Sequence, residues 1–329
     1  MINVPAGPGT NRKPECQRVR SFASGAVLSF LLQVPRGAAV SSRVQKRGKP
    51  SAHFPGWPQI LDVVRPQLRA QVSTAALAQG NSLELLDALF AKFPDGCFDA
   101  IFADPPYFLS NGGITCHAGK MVKVDKGHWD KSQGAELNHE FNTEWLKRCQ
   151  RVLKPNGTIW VTGTQHVIFS VGYAMQQLGM KILNDITWEK PNPPPNLSCR
   201  YFTHATETVL WAAKDERSKH TFNYKLMREH AGGKQMKSVW RLSAPGTAEK
   251  KLGKHPTQKP LALVERCLLA STHAGDIVLD PFSGGGTTAV ACARTQRHGL
   301  GIELETKHLE LAARRLEQLA APEKPSVPN

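Results

Sequence analysis

Apolar positions fall into two rhythms from residue 81 onward, and the two alternate along the chain. Leu83, Leu86, Leu89 and Phe90 recur at helical spacing and predict an amphipathic helix opening at Asn81, whereas residues 98–103 read Phe-Asp-Ala-Ile-Phe-Ala, an apolar run of strand length. The alternation continues. Residues 144–153, 168–178, 261–271, 287–297 and 307–319 predict helices, and residues 158–161, 182–188, 276–280 and 299–302 predict strands. Apolar strands separated by helices predict an α/β fold, a Rossmann-like, doubly wound and mostly parallel sheet with helices on both faces. Such sheets place their ligands at the carboxyl ends of the strands.

Three stretches break this rhythm. Residues 1–70 read as a basic, disordered extension: before Pro50 nine Lys and Arg face a single acid, Glu15, which is about half of the formal net charge of +15. An apolar run at 21–34 has the outline of a leader peptide, but Ser24, Gly25 and Ser29 interrupt its core. Residues 108–142 are polar and rich in Gly, Lys and His, and predict a long functional loop beside the strand at 98–103. Residues 190–254 open on Pro191, Pro193, Pro194 and Pro195, and from 214 to 254 eleven basic residues face four acids. Tyr201, Phe202, Trp211, Tyr224 and Trp240 interleave with that charge, a composition that suits phosphate contacts plus base stacking and equally a solvated surface over ordinary core aromatics. The breaks divide the chain into an extension (1–70), a first half (71–189), a basic segment (190–254), a second half (255–320) and a tail (321–329).

The charge points to a polyanionic partner, since clustered Lys and Arg gain affinity by releasing counterions from phosphates. Seven cysteines are scattered without metal-ligand spacing, so no metal site and no disulfide framework is expected, and a reducing cytoplasm suits them. No apolar run approaches the roughly eighteen residues of a membrane span.

Candidate chemistry sits at two strand ends. The strand at 98–103 stops in Asp104, Pro105, Pro106 and Tyr107; the prolines remove in-sheet donors and leave carbonyl acceptors beside the Asp104 carboxylate, while Tyr107 adds a flat face with a polar tip. Acceptors of this kind suit a planar ring bearing an amino group, although a turn residue and a packed tyrosine would look the same. The strand at 276–280 ends in Asp280, followed by Pro281, Phe282, Ser283, Gly284, Gly285, Gly286 and Thr287, a turn whose glycines let backbone approach a ligand. Glu303, about twenty residues on, is placed for ribose hydroxyls. Gly284-x-Gly286-x-x-Ala289 also satisfies a loose dinucleotide fingerprint, while the absence of a following lysine excludes the ATP phosphate loop.

Asp-Pro-Pro-Tyr followed by a basic segment and then Asp-Pro-Phe-Ser-Gly-Gly-Gly-Thr resembles the beta group of amino-group DNA methyltransferases, over roughly residues 80–319. The resemblance implies a seven-stranded sheet, S-adenosyl-L-methionine as cofactor, and methyl transfer to adenine N6 of a base flipped out of double-stranded DNA. It implies a catalytic set of Asp104, Pro105, Pro106 and Tyr107, the last stacking on the base. It assigns Asn81 and Ser82 to the cofactor's adenine, where a plain helix cap is the simpler reading, and Thr257 and Lys259 to its methionine end, with Lys259 meeting the carboxylate. Asp280, Phe282, Ser283, Gly284, Gly286, Thr287 and Glu303 complete the cofactor site, and residues 190–254 become the target-recognition segment. A homodimer, a cognate restriction endonuclease and a cytoplasmic, nucleoid-associated setting without membrane contact belong to the same expectation. The alternatives are N4-cytosine or RNA adenine methylation, a silent DNA-binding subunit, and a nicotinamide oxidoreductase. No cysteine stands in the Pro-Cys setting that cytosine C5 chemistry needs.

Overall fold

The computed structural model describes residues 56–72, 74–110, 114–117, 120–123, 130–253 and 255–320. In chain order these form α1 (Trp57–Val64), β1 (Leu68–Val72), β2 (Ala75–Gln79), α2 (Ser82–Lys92), β3 (Phe98–Ala103), β4 (Ile114–His117), β5 (Lys120–Lys123), α3 (Ala135–Val152) and β6 (Leu153–Gly163). There follow α4 (Ile168–Gln177), β7 (Lys181–Glu189), β8 (Thr206–Ala213), α5 (Tyr224–His230), β9 (Val239–Arg241), α6 (Leu261–Ser271), β10 (Ile277–Asp280), α7 (Thr287–Arg294), β11 (His298–Glu303) and α8 (Thr306–Ala320). The expected basic extension up to residue 55 and the tail from 321 lie outside the described residues. Among the described residues, no helix is long and apolar enough to cross a membrane.

One sheet of nine strands runs in the order β1-β2-β11-β10-β3-β6-β8-β7-β9, and β4 with β5 forms a separate antiparallel pair. The expected seven strands are its centre, from β2 to β7; β1 and β9 extend the two edges. From β2 to β6 every neighbouring pair is parallel, whereas β8 pairs antiparallel with both β6 and β7. The parallel strands are buried on both faces, which is why they read as apolar runs. In β3, Ile101 and Ala103 face one core with α2, α3 and α4, while Ala100 and Phe102 face the other with α6 and α7. Fully burying a side chain such as Leu86 or Leu89 of α2 contributes on the order of 1.5–3 kcal/mol.

Two expectations about boundaries change. The extension does not reach residue 70: α1 precedes it and β1 spans it, with Trp57, Ile60 and Val64 buried against the first core. Part of the basic segment belongs to the main sheet, since β8 lies beside β6 and β9 beside β7. Its aromatics divide accordingly. Trp211 stacks on Trp160 at 4.6 Å between ring centres and Trp240 packs next to them, whereas Tyr201 and Phe202 are 61 % and 96 % exposed.

Candidate active site

β10 lies next to β3, with Leu279 opposite Ile101, so the two strands end side by side. Strand order reverses here, an early strand meeting a late one, and a crevice opens beyond their carboxyl ends. Asp104 directly follows β3 and Asp280 ends β10; both line one cleft of about 300 Å³, which Gly284 also borders. The two sequence signatures therefore share one rim of the sheet.

The glycine turn forms the floor of the cleft. Gly284 has φ +49 and Gly286 has φ +74, backbone that L side chains rarely adopt, and Gly286 caps α7. A Cβ on Gly286 would come within 2.6 Å of the Ala312 Cβ, so this glycine serves the close packing of α7 on α8 and does not line the cleft. Arg315 of α8 donates to the Gly285 carbonyl and, at 3.1 Å, to the Thr287 hydroxyl, pinning the turn from behind. Ser283 borders the cleft, its N–H donating to the Ile302 carbonyl at 2.9 Å, while its hydroxyl is buried toward Gly301 without a hydrogen-bond partner.

The carboxylates around the turn are tied to backbone. Glu303 accepts from Gly284 N–H at 2.7 Å and Glu305 N–H at 2.8 Å. Burial raises its carboxyl above the usual range in spite of those bonds. Asp280 accepts from Phe282 N–H at 3.0 Å and from the Thr288 hydroxyl, and complete burial pushes its pKa up to about 7. Asn81 caps α2, its side chain accepting from Leu83 N–H at 2.9 Å, and Ser82 donates to the Pro281 carbonyl. Both also line the cleft, so capping and a place beside a ligand coexist at these residues.

Asp104 accepts three hydrogen bonds at the site. Its Oδ1 accepts from the Thr162 hydroxyl at 2.7 Å and the Tyr107 hydroxyl at 2.8 Å, and its Oδ2 from the Lys259 ammonium at 2.7 Å. Lys259, expected at the methionine end of the cofactor, lines the cleft together with Thr257 and pairs there with Asp104. Burial alone would depress the lysine, but Asp104 and Glu207 outweigh it and keep the ammonium charged.

Tyr107, expected beside the target base, is held tightly in the structure. The ring is 5 % exposed, its hydroxyl serves Asp104, and Lys259 stands 5.1 Å from the ring centre. Burial, then the nearby Asp104 and Glu207, raises the phenol well above its ordinary value, so it remains a donor. The ring forms a wall of a second cavity of about 260 Å³, adjoining the first through Thr257 and Lys259. Pro106 lines the first cleft; Pro105 is buried between strand and turn and lines neither.

Several residues of the site carry no signal in the sequence. Asp130 is fully buried and receives Tyr107 N–H at 2.9 Å, Leu109 N–H at 3.2 Å and the Ser110 hydroxyl at 2.9 Å, holding the segment after β3, where Phe108 has φ +57. Glu207 at the start of β8 stands 3.3 Å from the Tyr107 hydroxyl and pairs with Lys190. His255 lies under Gly284 with His308 packed edge-on at 4.2 Å, and burial lowers its pKa to about 3, so the imidazole is neutral.

S-adenosyl-L-methionine fits this cleft. The glycine turn is a cradle that a Cβ at Gly284 would close, to 3.0 Å from the His255 ring. Asp280 and Glu303 offer carboxylates to a cationic, hydroxyl-bearing ligand, and Phe102, Phe141, Ile302 and Leu304 supply apolar walls.

Comparison with known proteins agrees with this geometry. A family model described as DNA methylase, covering N6 and N4 enzymes, matches residues 98–314. The chain is 56 % identical over 228 residues to the type II methyltransferase M2.DpnII of Streptococcus pneumoniae, covering 69 % of this chain and 85 % of the relative. It is 47 % identical over 256 residues to the type II methyltransferase M2.MboI of Moraxella bovis, covering 78 % and 92 %. The solved M1.HpyAVI complex with S-adenosylmethionine superposes with a TM-score of 0.57 at 28 % identity, covering 74 % of this chain and 98 % of that one. PvuII DNA methyltransferase, a cytosine-N4 enzyme, shares the fold at a TM-score of 0.59 and 22 % identity, over 76 % and 91 %. With a glycine cradle at one strand end, an Asp-Pro-Pro-Tyr tip at the next and a family match spanning both, the chain belongs to the N6/N4 DNA methylase family and is an S-adenosyl-L-methionine-dependent DNA methyltransferase.

Proposed function

We propose that the protein methylates adenine N6 in duplex DNA, with the target base flipped out, as the modification enzyme of a type II restriction system. The observation that carries this reading is the position of Asp104: its carboxylate borders the cofactor cleft, while Tyr107, hydrogen-bonded to it, walls the adjoining cavity. A base seated in the second cavity would present its amine to the first.

The exocyclic nitrogen of adenine is a weak nucleophile because its lone pair is delocalised into the ring. Donation of one N–H to Asp104 and of the other to a carbonyl of the proline tip favours a pyramidal nitrogen and frees the lone pair for in-line attack. Asp280, Ser283, Gly284 and Glu303 would hold S-adenosyl-L-methionine, which would supply a methyl group on a sulfonium; the N–C bond would form as the S–C bond broke, leaving S-adenosylhomocysteine, and the nitrogen would then give one proton to solvent. Thr162 and Tyr107 hold Asp104 in place throughout, and the Tyr107 ring acts as a cavity wall, not as an exposed stacking platform.

Asp at the first position of the tip favours adenine over N4-cytosine, and the names of the type II relatives favour a modification role. A cognate restriction endonuclease, a second copy of the chain and a cytoplasmic setting complete the reading. Residues 190–205, with exposed Tyr201 and Phe202, are the part of the basic segment best placed to meet DNA. The test is mass spectrometry of nucleosides from DNA of cells expressing the protein, with sequencing to locate the modified site. N6-methyldeoxyadenosine is expected; N4-methyldeoxycytidine alone would overturn the adenine assignment.

A further inference from the structure

Two carboxylates and two ammonium groups meet between the cavities. The Lys259 ammonium is 2.7 Å from Asp104 Oδ2 and 3.8 Å from Glu207 Oε2, and its side chain is 6 % exposed. Glu207, 10 % exposed, offers its other oxygen to Lys190. Both oxygens of Asp104 are engaged, Oδ1 by Thr162 and Tyr107 and Oδ2 by Lys259. An amine that donates to Asp104 must therefore take Oδ2 from the lysine or share it.

A buried ammonium that loses its counter-charge is strongly unfavourable unless another carboxylate takes over. Among the described residues Glu207 is the one other carboxylate within ion-pair distance of Lys259. We propose that Glu207 is a positioning residue for methyl transfer: it receives the Lys259 ammonium when the target amine engages Asp104, and so releases the catalytic carboxylate from lysine to substrate. The inference rests on Asp104 being the carboxylate that receives the amine. Two further observations support it. Burial would raise the Glu207 carboxyl, but Lys259 and Lys190 outweigh it and hold the group ionised, ready to accept a cation. The Tyr107 hydroxyl lies nearer Asp104, at 2.8 Å, than Glu207, at 3.3 Å, and as a neutral donor it leaves the charge of Glu207 in place for the ammonium.

The test compares binding of two duplexes with S-adenosylhomocysteine present. One carries adenine at the methylated position and the other carries purine, which lacks the amine. Wild type is expected to prefer the adenine duplex by about tenfold, the size of one charge-assisted hydrogen bond. In Glu207→Gln the preference is expected to vanish and single-turnover methylation to fall by about tenfold or more, while S-adenosylmethionine binding stays within about twofold. A purely structural role for Glu207 would not erase the amine preference selectively. Glu207→Gln that retains the wild-type preference and rate overturns the proposal. A wild-type protein without any adenine preference fails at Asp104 itself, a separate outcome that removes the basis of the inference. Should Glu207→Gln not bind cofactor, Glu207→Asp, which keeps the charge but withdraws it by one methylene, decides: a reduced preference supports the role and an unchanged one refutes it.

Discussion

The Lys259 ammonium lies 2.7 Å from Asp104 Oδ2, although the two residues are separated by 155 positions in the chain. The contact joins the segment before α6 to the tip of β3, so the carboxylate proposed to receive the target amine is already paired with a cation. Lys259→Met removes the cation and leaves Asp104 and Glu207 facing each other without it. Breaking a buried pair of this kind costs on the order of 3–5 kcal/mol. A lower melting temperature is expected together with lost activity, and an unchanged melting curve would show that the pair does not persist in solution.

Asp280 predicts a pH dependence of the cofactor-free protein. Its pKa is raised by burial from 3.8 to about 7, so folding favours the protonated form. The carboxyl therefore imposes no penalty below about 3.8, and the fold loses stability as pH rises through about 7. A cationic ligand beside it favours the carboxylate, so S-adenosylmethionine should bind more tightly above pH 7 and release a proton on binding below it. Calorimetry in buffers of different ionisation enthalpy reads that proton. Asp280→Asn should abolish the release, and release persisting in the variant would assign it elsewhere.

The two outer glycines of the turn should fail differently. Gly286→Ala puts a Cβ 2.6 Å from Ala312 in left-handed backbone, and a loss of roughly 1–3 kcal/mol of stability is expected from the strain alone. Gly284→Ala also sits in left-handed backbone, φ +49, but meets only the edge of the His255 ring at 3.0 Å, which can yield, so a smaller loss of stability is expected together with weaker cofactor binding. Chemical denaturation and equilibrium binding separate the two; equal effects from both variants would count against the division.

The Asp-Pro-Pro-Tyr tip and the glycine turn were legible because each is a contiguous run at the end of an apolar strand. Glu207 was not, since an acid at the start of a strand looks like any solvent-facing residue until β8 is set antiparallel beside β6. Residue type suggested that Tyr107 would face a base, but its side-chain direction follows from Thr162 and Asp104, which the sequence does not bring together. For the same reason Trp211 and Trp240 could not be told from Tyr201 and Phe202. β1 and β2 went unseen because Leu-Arg-Ala-Gln-Val and Ala-Ala-Leu-Ala-Gln are short and poor in β-branched residues.

Asp130 illustrates a cost hidden from sequence. Asp130→Ala leaves Tyr107 N–H, Leu109 N–H and the Ser110 hydroxyl without this acceptor, each worth roughly 1–3 kcal/mol if buried and unsatisfied. Reduced thermal stability and slower methyl transfer are expected together, because the freed segment carries Tyr107. Loss of stability with an unaltered rate would confine Asp130 to folding.

Exposed aromatics of the basic segment should act on DNA alone. Phe202→Ala is expected to weaken DNA binding by about 1–3 kcal/mol if the ring stacks on a base, with no change in S-adenosylmethionine affinity. Titration of labelled duplex at fixed salt measures it, and unaltered binding would exclude Phe202 from the interface.

The most direct measurement is transfer of a labelled methyl group from S-adenosylmethionine to DNA by Asp104→Asn, alongside its cofactor affinity. A fall in single-turnover rate of at least about 100-fold, with cofactor affinity near wild type, is expected if the carboxylate acts on the amine. Methylation at the wild-type rate by Asp104→Asn would contradict the assignment of Asp104 at the strand tip as the group that readies the nitrogen.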